Sequence, residues 1–77
     1  MTEVLFPQLS AERGDAEGVV ATWYVATGES VGAGQPLADV QMDKVDAEVP
    51  APVAGTVTLL VGEGESVRQG SVIARLD

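Results

Sequence analysis

Lys44 is the only lysine in the chain, and it lies between two stretches that alternate apolar and polar residues. Before it runs Pro36-Leu37-Ala38-Asp39-Val40-Gln41-Met42, and after it runs Val45-Asp46-Ala47-Glu48-Val49-Pro50. Alternation at a period of two is the mark of a half-buried strand. Ala38, Val40 and Met42 share one face of the first arm, and Val45, Ala47 and Val49 share one face of the second. Asp43-Lys44 is then the best site for a tight turn, although it lacks the Asn-Gly or Asp-Gly that favours such a turn locally. A lone primary amine held at a tip is either an accident of an acidic surface or an attachment point, and that alternative decides what the protein does.

Other chemistry is scarce. The chain has neither Cys nor His, which excludes disulfides, thiolate metal sites and a cysteine nucleophile. It also removes the usual acid–base group near neutral pH. Asp39, Gln41 and Asp43 share the outward parity of one arm, and Asp46 and Glu48 that of the other. Asp39 and Glu48 read as a solvated face that protects a sheet edge. Asp43 abuts the lysine and reads with it. These acids alternate with apolar residues and lack a calcium-loop spacing, so no metal site is expected. The glycines lack the spacing of a phosphate-cradling loop.

Twelve acidic residues against four basic ones give a formal charge of −8. Such a field repels phosphate backbones, so neither nucleic acid nor an anionic membrane is an expected partner. A monomer is expected, since the same charge opposes self-association. The start Met1-Thr2-Glu3 has no positive region or apolar run and so no secretory signal. No stretch approaches the ~20 apolar residues of a membrane span.

The elements that must carry the tip are strands. A chain of 77 residues is one domain, 1–77, and buries only about 60% of the surface its unfolded form exposes. Val4-Leu5-Phe6 reads as a first strand stopped by Pro7, and Val19 to Val25 as a second; Ser10 to Gly18 between them is an acidic loop. The pattern then recurs. Gly28-Glu29-Ser30-Val31 matches Gly64-Glu65-Ser66-Val67, and Gly34 and Gly70 follow at the same distance. Pro36-Leu37-Ala38-Asp39-Val40 matches Val72-Ile73-Ala74-Arg75-Leu76. Gly18-Val19-Val20-Ala21 resembles Gly55-Thr56-Val57-Thr58 with one residue of slippage, as a β-bulge produces. Half-repeats at about 18–40 and 55–76, placed face to face, give an all-β flattened sandwich or barrel of two small antiparallel sheets with approximate two-fold symmetry.

The expected core is Val4, Phe6, Val20, Trp23, Val25, Val31, Leu37, Val40, Val45, Ala47, Val49, Val57, Leu59, Val61, Val67, Ile73 and Leu76. Trp23 is expected in or half in the core rather than as a ligand platform. Gly28, Gly34, Gly55, Gly64 and Gly70 are expected to permit positive φ or tight reversals. Pro50 and Pro52 stiffen the exit from the hairpin.

With the tip and the two halves in place, the chain resembles the lipoyl (biotinyl-like) attachment domains over nearly its whole length. Phe6-Pro7-Gln8-Leu9 looks like the family's opening, Gly18 and Trp23 match the Gly and Trp of its second strand, and Gly28-Glu29-Ser30-Val31 matches its Gly-Asp-x-Val turn. Met42-Asp43-Lys44-Val45, then Glu48-Val49-Pro50-Ala51-Pro52 and Ala54-Gly55, match the modified-lysine hairpin and its exit. Biotin carriers usually have Met-Lys-Met; Asp43 before Lys44 and Val45 after it match the lipoyl pattern. Ser10 stands where the family usually has Gly, and the loop from Ser10 to Glu17 looks longer than usual.

The resemblance implies that Lys44 is amide-linked to lipoic acid and that Met42, Asp43 and Val45 help recognition at the tip. It implies that Glu12, Asp15 and Glu17 lie in a loop that helps partner enzymes choose their domain. The implied partners are a lipoate ligase or octanoyl/lipoyl transferase, a thiamine-diphosphate-dependent 2-oxoacid decarboxylase, an acyltransferase core and dihydrolipoamide dehydrogenase. On this reading the chain is a carrier and not itself an enzyme. It would be an N-terminal piece of an acyltransferase, ending at Asp77 directly after its last strand, in a bacterial cytoplasm or, in a eukaryote, the mitochondrial matrix. The other readings are a biotin carrier of a carboxylase and an unmodified acidic β-sandwich adaptor.

Overall fold

A computed structural model describes residues 1–9 and 16–77. The described residues form eight strands: β1 (Thr2–Leu5), β2 (Glu17–Trp23), β3 (Ser30–Val31), β4 (Pro36–Met42), β5 (Val45–Pro50), β6 (Gly55–Leu59), β7 (Ser66–Arg68) and β8 (Val72–Leu76). They make two four-stranded antiparallel sheets, ordered β1-β8-β6-β3 and β5-β4-β2-β7. The all-β, two-sheet reading of the sequence holds. The first two strands start two residues earlier than expected, at Thr2 and Glu17.

Matching pairings build the two sheets. β4 lies between β5 and β2, with Asp39 opposite Glu48 and Val20 opposite Val40. β8 lies between β1 and β6, with Arg75 opposite Glu3 and Leu76 opposite Val57. In β2 the register shifts between Val20 and Thr22, so Ala21 is an extra residue there.

The repeated Gly-Glu-Ser-Val has a local cause. In both copies the Glu closes a turn on the residue three positions before it. The Glu29 carboxylate accepts from the Ala26 amide at 3.2 Å, and the Glu65 carboxylate accepts from the Gly62 amide at 3.2 Å. The glycine just before each Glu takes a left-handed backbone, with φ +95° at Gly28 and +78° at Gly64, a region costly for a residue with a Cβ. Each turn is then pinned to the sheet that its next strand joins. The Gly28 amide donates to the Val57 carbonyl at 2.8 Å and the Gly64 amide to the Val20 carbonyl at 2.9 Å.

Between the sheets lies the core: Val4, Phe6, Val20, Val25, Val31, Leu37, Ala38, Val40, Met42, Val49, Ala51, Val57, Ile73, Ala74 and Leu76. Each fully buried Val, Leu or Ile adds about 1.5–3 kcal/mol relative to exposure. The structure corrects three expectations. Val45 is exposed, because it lies beside the turn on β5, an edge strand, although its ladder partner Met42 on the inner strand β4 is buried. Ala47, Leu59, Val61 and Val67 pack against the core but are only partly buried, and Trp23 is half in the core, as one form of its expectation had it. Gly34 and Gly70 have positive φ as expected, but Gly55 does not. Gly55 is needed for space, since a Cβ there would lie 2.8 Å from the Asp77 carbonyl oxygen.

Gly18 meets the tightest constraint. A Cβ at this position would lie 2.5 Å from the Gln41 carbonyl oxygen and 2.6 Å from Phe6 Cζ. The phenyl ring has some freedom to move; the backbone of β4 does not. Gly18→Ala is expected to destabilise the fold by about 1–3 kcal/mol, the usual penalty for overpacking. Urea unfolding checks this, and an unchanged midpoint would show that β2 and β4 separate without cost.

Candidate functional site

The β4–β5 hairpin is held by five ladder pairs next to its turn: Ala38 with Val49, Asp39 with Glu48, Val40 with Ala47, Gln41 with Asp46, and Met42 with Val45. The alternation in sequence becomes an alternation of faces. Ala38, Val40, Met42 and Val49 point into the core, while Gln41, Asp46 and Glu48 are exposed and Asp39 is half-buried. Burial fades towards the tip along β5, from Val49 at 4% exposed through half-buried Ala47 to Val45 at 46%. Met42 is only 3% exposed and fixes the end of β4 to the core. Beyond this anchor, Asp43 and Lys44 alone make the reversal, and both are exposed.

Asp43 has φ +54°, and among the described residues no other non-glycine has positive φ. Two-residue hairpins need a positive φ at the first central position, or at both, to match the twist of their strands. Asp and Asn enter that region more readily than other residues with a Cβ. A turn without glycine is therefore compatible with Asp at this position. The outcome is an accessible primary amine on a short, rigid support. Its surroundings suit acylation, since the lysine is exposed to solvent and does not have to be drawn out of the core.

The outward side of the same sheet is acidic. Ala21, Asp39, Val40, Gln41, Asp46, Ala47 and Glu48 line a shallow groove on it. Tyr24, just after β2, donates its phenolic hydrogen to Asp39. This hydrogen bond, with some desolvation and the negative charges of Asp39 and Glu48, raises the Tyr24 pKa above its ordinary value. Opposed like charges cost a little stability, and the corresponding pair on the other sheet, Arg75 and Glu3, is of opposite sign. The sequence reading missed Tyr24, because nothing in the spacing of residues 24 and 39 signals that they meet.

The remaining singled-out residues sit apart from the tip. Trp23 donates its indole N–H to the Val61 carbonyl at 3.1 Å, and its amide donates to the Glu63 carboxylate at 2.8 Å. It thus ties the end of β2 to the segment after β6 and is a structural residue. Pro50 closes β5 opposite Pro36. Glu17 opens β2 opposite Arg68 and is exposed. Glu12 and Asp15 lie outside the described residues.

The Tyr24 contact has a pH consequence. Its folded pKa is raised above the unfolded value of 10.0, so the stability it contributes is complete below that value and is lost as pH climbs through the folded pKa. The chain has one tyrosine, which makes a tyrosinate absorbance titration unambiguous. Asp39→Asn is expected to lower the midpoint towards 10.0; a midpoint unmoved by that change would mean that the contact does not form in solution.

Comparison with known proteins agrees with this geometry. Residues 2–76 match the biotin/lipoyl family model, described as a biotin-requiring enzyme family. The dihydrolipoyllysine-residue acetyltransferase component of the pyruvate dehydrogenase complex of Corynebacterium glutamicum is 42% identical over 76 residues, which is 97% of this chain and 11% of that protein. The lipoamide acyltransferase component of the branched-chain alpha-keto acid dehydrogenase complex of Bacillus subtilis is 40% identical over 76 residues, 97% of this chain and 18% of that protein. The chain therefore spans less than a fifth of these curated relatives. Among solved structures, the lipoyl domain of the Azotobacter vinelandii 2-oxoglutarate dehydrogenase complex superposes with a TM-score of 0.78 at 29% identity, covering 100% of this chain and 96% of that one. A match over residues 2–76, on a fold that presents its one lysine at a hairpin tip, means that the chain belongs to the biotinyl/lipoyl attachment-domain family, as a lipoyl-type member.

Proposed function

We propose that this chain is a lipoyl carrier domain of a 2-oxoacid dehydrogenase acyltransferase, with Lys44 as its attachment site. The observation that carries the proposal is the exposed Asp43-Lys44 reversal at the end of a core-anchored hairpin. The flanking Asp43 and Val45, in place of methionines, favour a lipoyl over a biotinyl group, as do the lipoamide and dihydrolipoyllysine names of the relatives. Attachment forms an amide between Nζ and the lipoate carboxyl carbon. ATP activates that carboxyl, its activating group departs, and the ammonium of Lys44 gives up two protons.

When bound, the lipoyl group supplies acyl transfer and dithiol–disulfide chemistry that no residue of this chain offers. The protein's part is tether and address. Lys44 contributes a long flexible stem, while Met42, Val40 and Val49 anchor the hairpin beneath it in the core. Tethering raises the local concentration of the arm at each partner site. The modified tip loses its one positive charge and becomes more acidic, which suits partners with basic docking surfaces. Those partners are a lipoate ligase or octanoyl/lipoyl transferase, a thiamine-diphosphate-dependent 2-oxoacid decarboxylase, the acyltransferase core and dihydrolipoamide dehydrogenase. In a bacterium they would meet the domain in the cytoplasm. Glu12, Asp15 and Glu17 contribute to recognition by the decarboxylase.

Intact mass after incubation with lipoate ligase, lipoate and ATP tests the attachment. A single lipoyl increment is expected, mapping to the peptide that holds Lys44, with none on Lys44→Gln. A biotinyl increment from cellular material would mean a biotin carrier, and a chain refractory to both would be an unmodified adaptor. For the loop, changing Glu12, Asp15 and Glu17 together to Gln is expected to slow acylation by the decarboxylase and to flatten its salt dependence. Identical kinetics across a salt series would remove the loop from recognition.

A further inference from the structure

The Asp43 backbone carries an inference that rests on Lys44 being the attachment site but goes beyond it. At φ +54° this residue is in the left-handed region, directly before the lysine. An L-residue there ordinarily costs about 1–2 kcal/mol, and the short polar side chains of Asp and Asn are the exceptions that visit it as single residues. The φ of Asp43 also orients the peptide unit joining it to Lys44, and with it the Cα–Cβ direction of the lysine. Met42 on one side is locked in the core, and Val45 on the other is fixed opposite it in the ladder. Between these two fixed residues only Asp43 and Lys44 turn the chain, so a change of backbone at residue 43 alters the reversal that Lys44 shares.

We propose that Asp43 is a positioning residue: its left-handed backbone, rather than its negative charge, sets the aim of Lys44 towards the enzyme that attaches the lipoyl group. Charge and backbone preference are separable by substitution. Asn keeps the left-handed tendency and removes the charge. Gly keeps the conformation with no side chain at all. Glu keeps the charge and loses the tendency, and Ala loses both.

The experiment measures steady-state lipoylation of the four variants Asp43→Asn, Asp43→Gly, Asp43→Glu and Asp43→Ala by lipoate ligase with lipoate and ATP, beside two-dimensional NMR of each unmodified chain. Asn and Gly are expected to keep kcat/KM within about threefold of the parent. Glu and Ala are expected to lose about five- to thirtyfold, the factor that 1–2 kcal/mol imposes on a two-state population. The loss should fall mainly on KM, because a fractionally populated competent turn dilutes the substrate that the ligase sees. In the parent, Asn and Gly chains, residue 43 should give the strong intraresidue amide–Hα contact of a positive φ, weakened in Glu and Ala, while signals of the core stay in place. A Glu variant as good as the parent with a poor Asn variant would overturn the proposal in favour of charge recognition. Equal rates in all four would overturn it too, as would a parent spectrum lacking the positive-φ contact. A parent chain that takes no lipoyl group at all would instead remove the attachment reading itself, a result distinct from any ordering of the variants.

Discussion

β4 is the strand on which the rest depends. It lies between β5 and β2, and Leu37, Ala38, Val40 and Met42 are all buried. A slip of one residue would turn Val40 and Met42 to solvent and Asp39 and Gln41 inward. Burying an unpaired carboxylate costs far more than any single contact on the outer face returns. That penalty fixes the register of the hairpin, and the register fixes which residues occupy the reversal. In a thin core of this size, a few such side chains carry most of the specification.

Towards the tip, burial falls away along β5. Val45 has the same parity as Ala47 and Val49 and pairs with buried Met42, yet it is exposed, because it lies beside the turn on β5, an edge strand. Exposure here is a consequence of geometry and is also what a modified lysine requires. An amine buried under the sheet would be inaccessible, and one on a long loop would have no fixed position. A rigid ladder ending in two exposed residues satisfies both needs. The acidic outer side of the sheet is less economical. Asp39 faces Glu48, and Tyr24 gives Asp39 a hydrogen bond that offsets part of the repulsion. Arg75 and Glu3 face one another at the matching place on the other sheet, so the fold itself does not require like charges there.

Much of this was legible in the sequence. Alternating apolar residues around Lys44 placed both strands and the reversal, because burial on one face imposes a period of two and a reversal interrupts it. The repeated Gly-Glu-Ser-Val placed two turns, because a left-handed glycine and a carboxylate three residues from its donor act locally. The turn at Asp43-Lys44 looked weak on local grounds; the reason it forms, a left-handed aspartate, is visible only in the backbone.

Local chemistry and periodicity determined the strand class, the hairpin, the identity of the lone amine and the family pattern around it. Tertiary structure decided what depends on distant neighbours. A place beside the turn on an edge strand exposed Val45. The contact of β2 with the Gln41 carbonyl and Phe6 explained Gly18, and the approach of Asp77 explained Gly55. The meeting of Tyr24 with Asp39 joined two residues that no spacing relates. Periodicity reports which face of a strand is apolar, but not whether the strand lies inside its sheet or at the edge. That place is set by the packing of the whole chain.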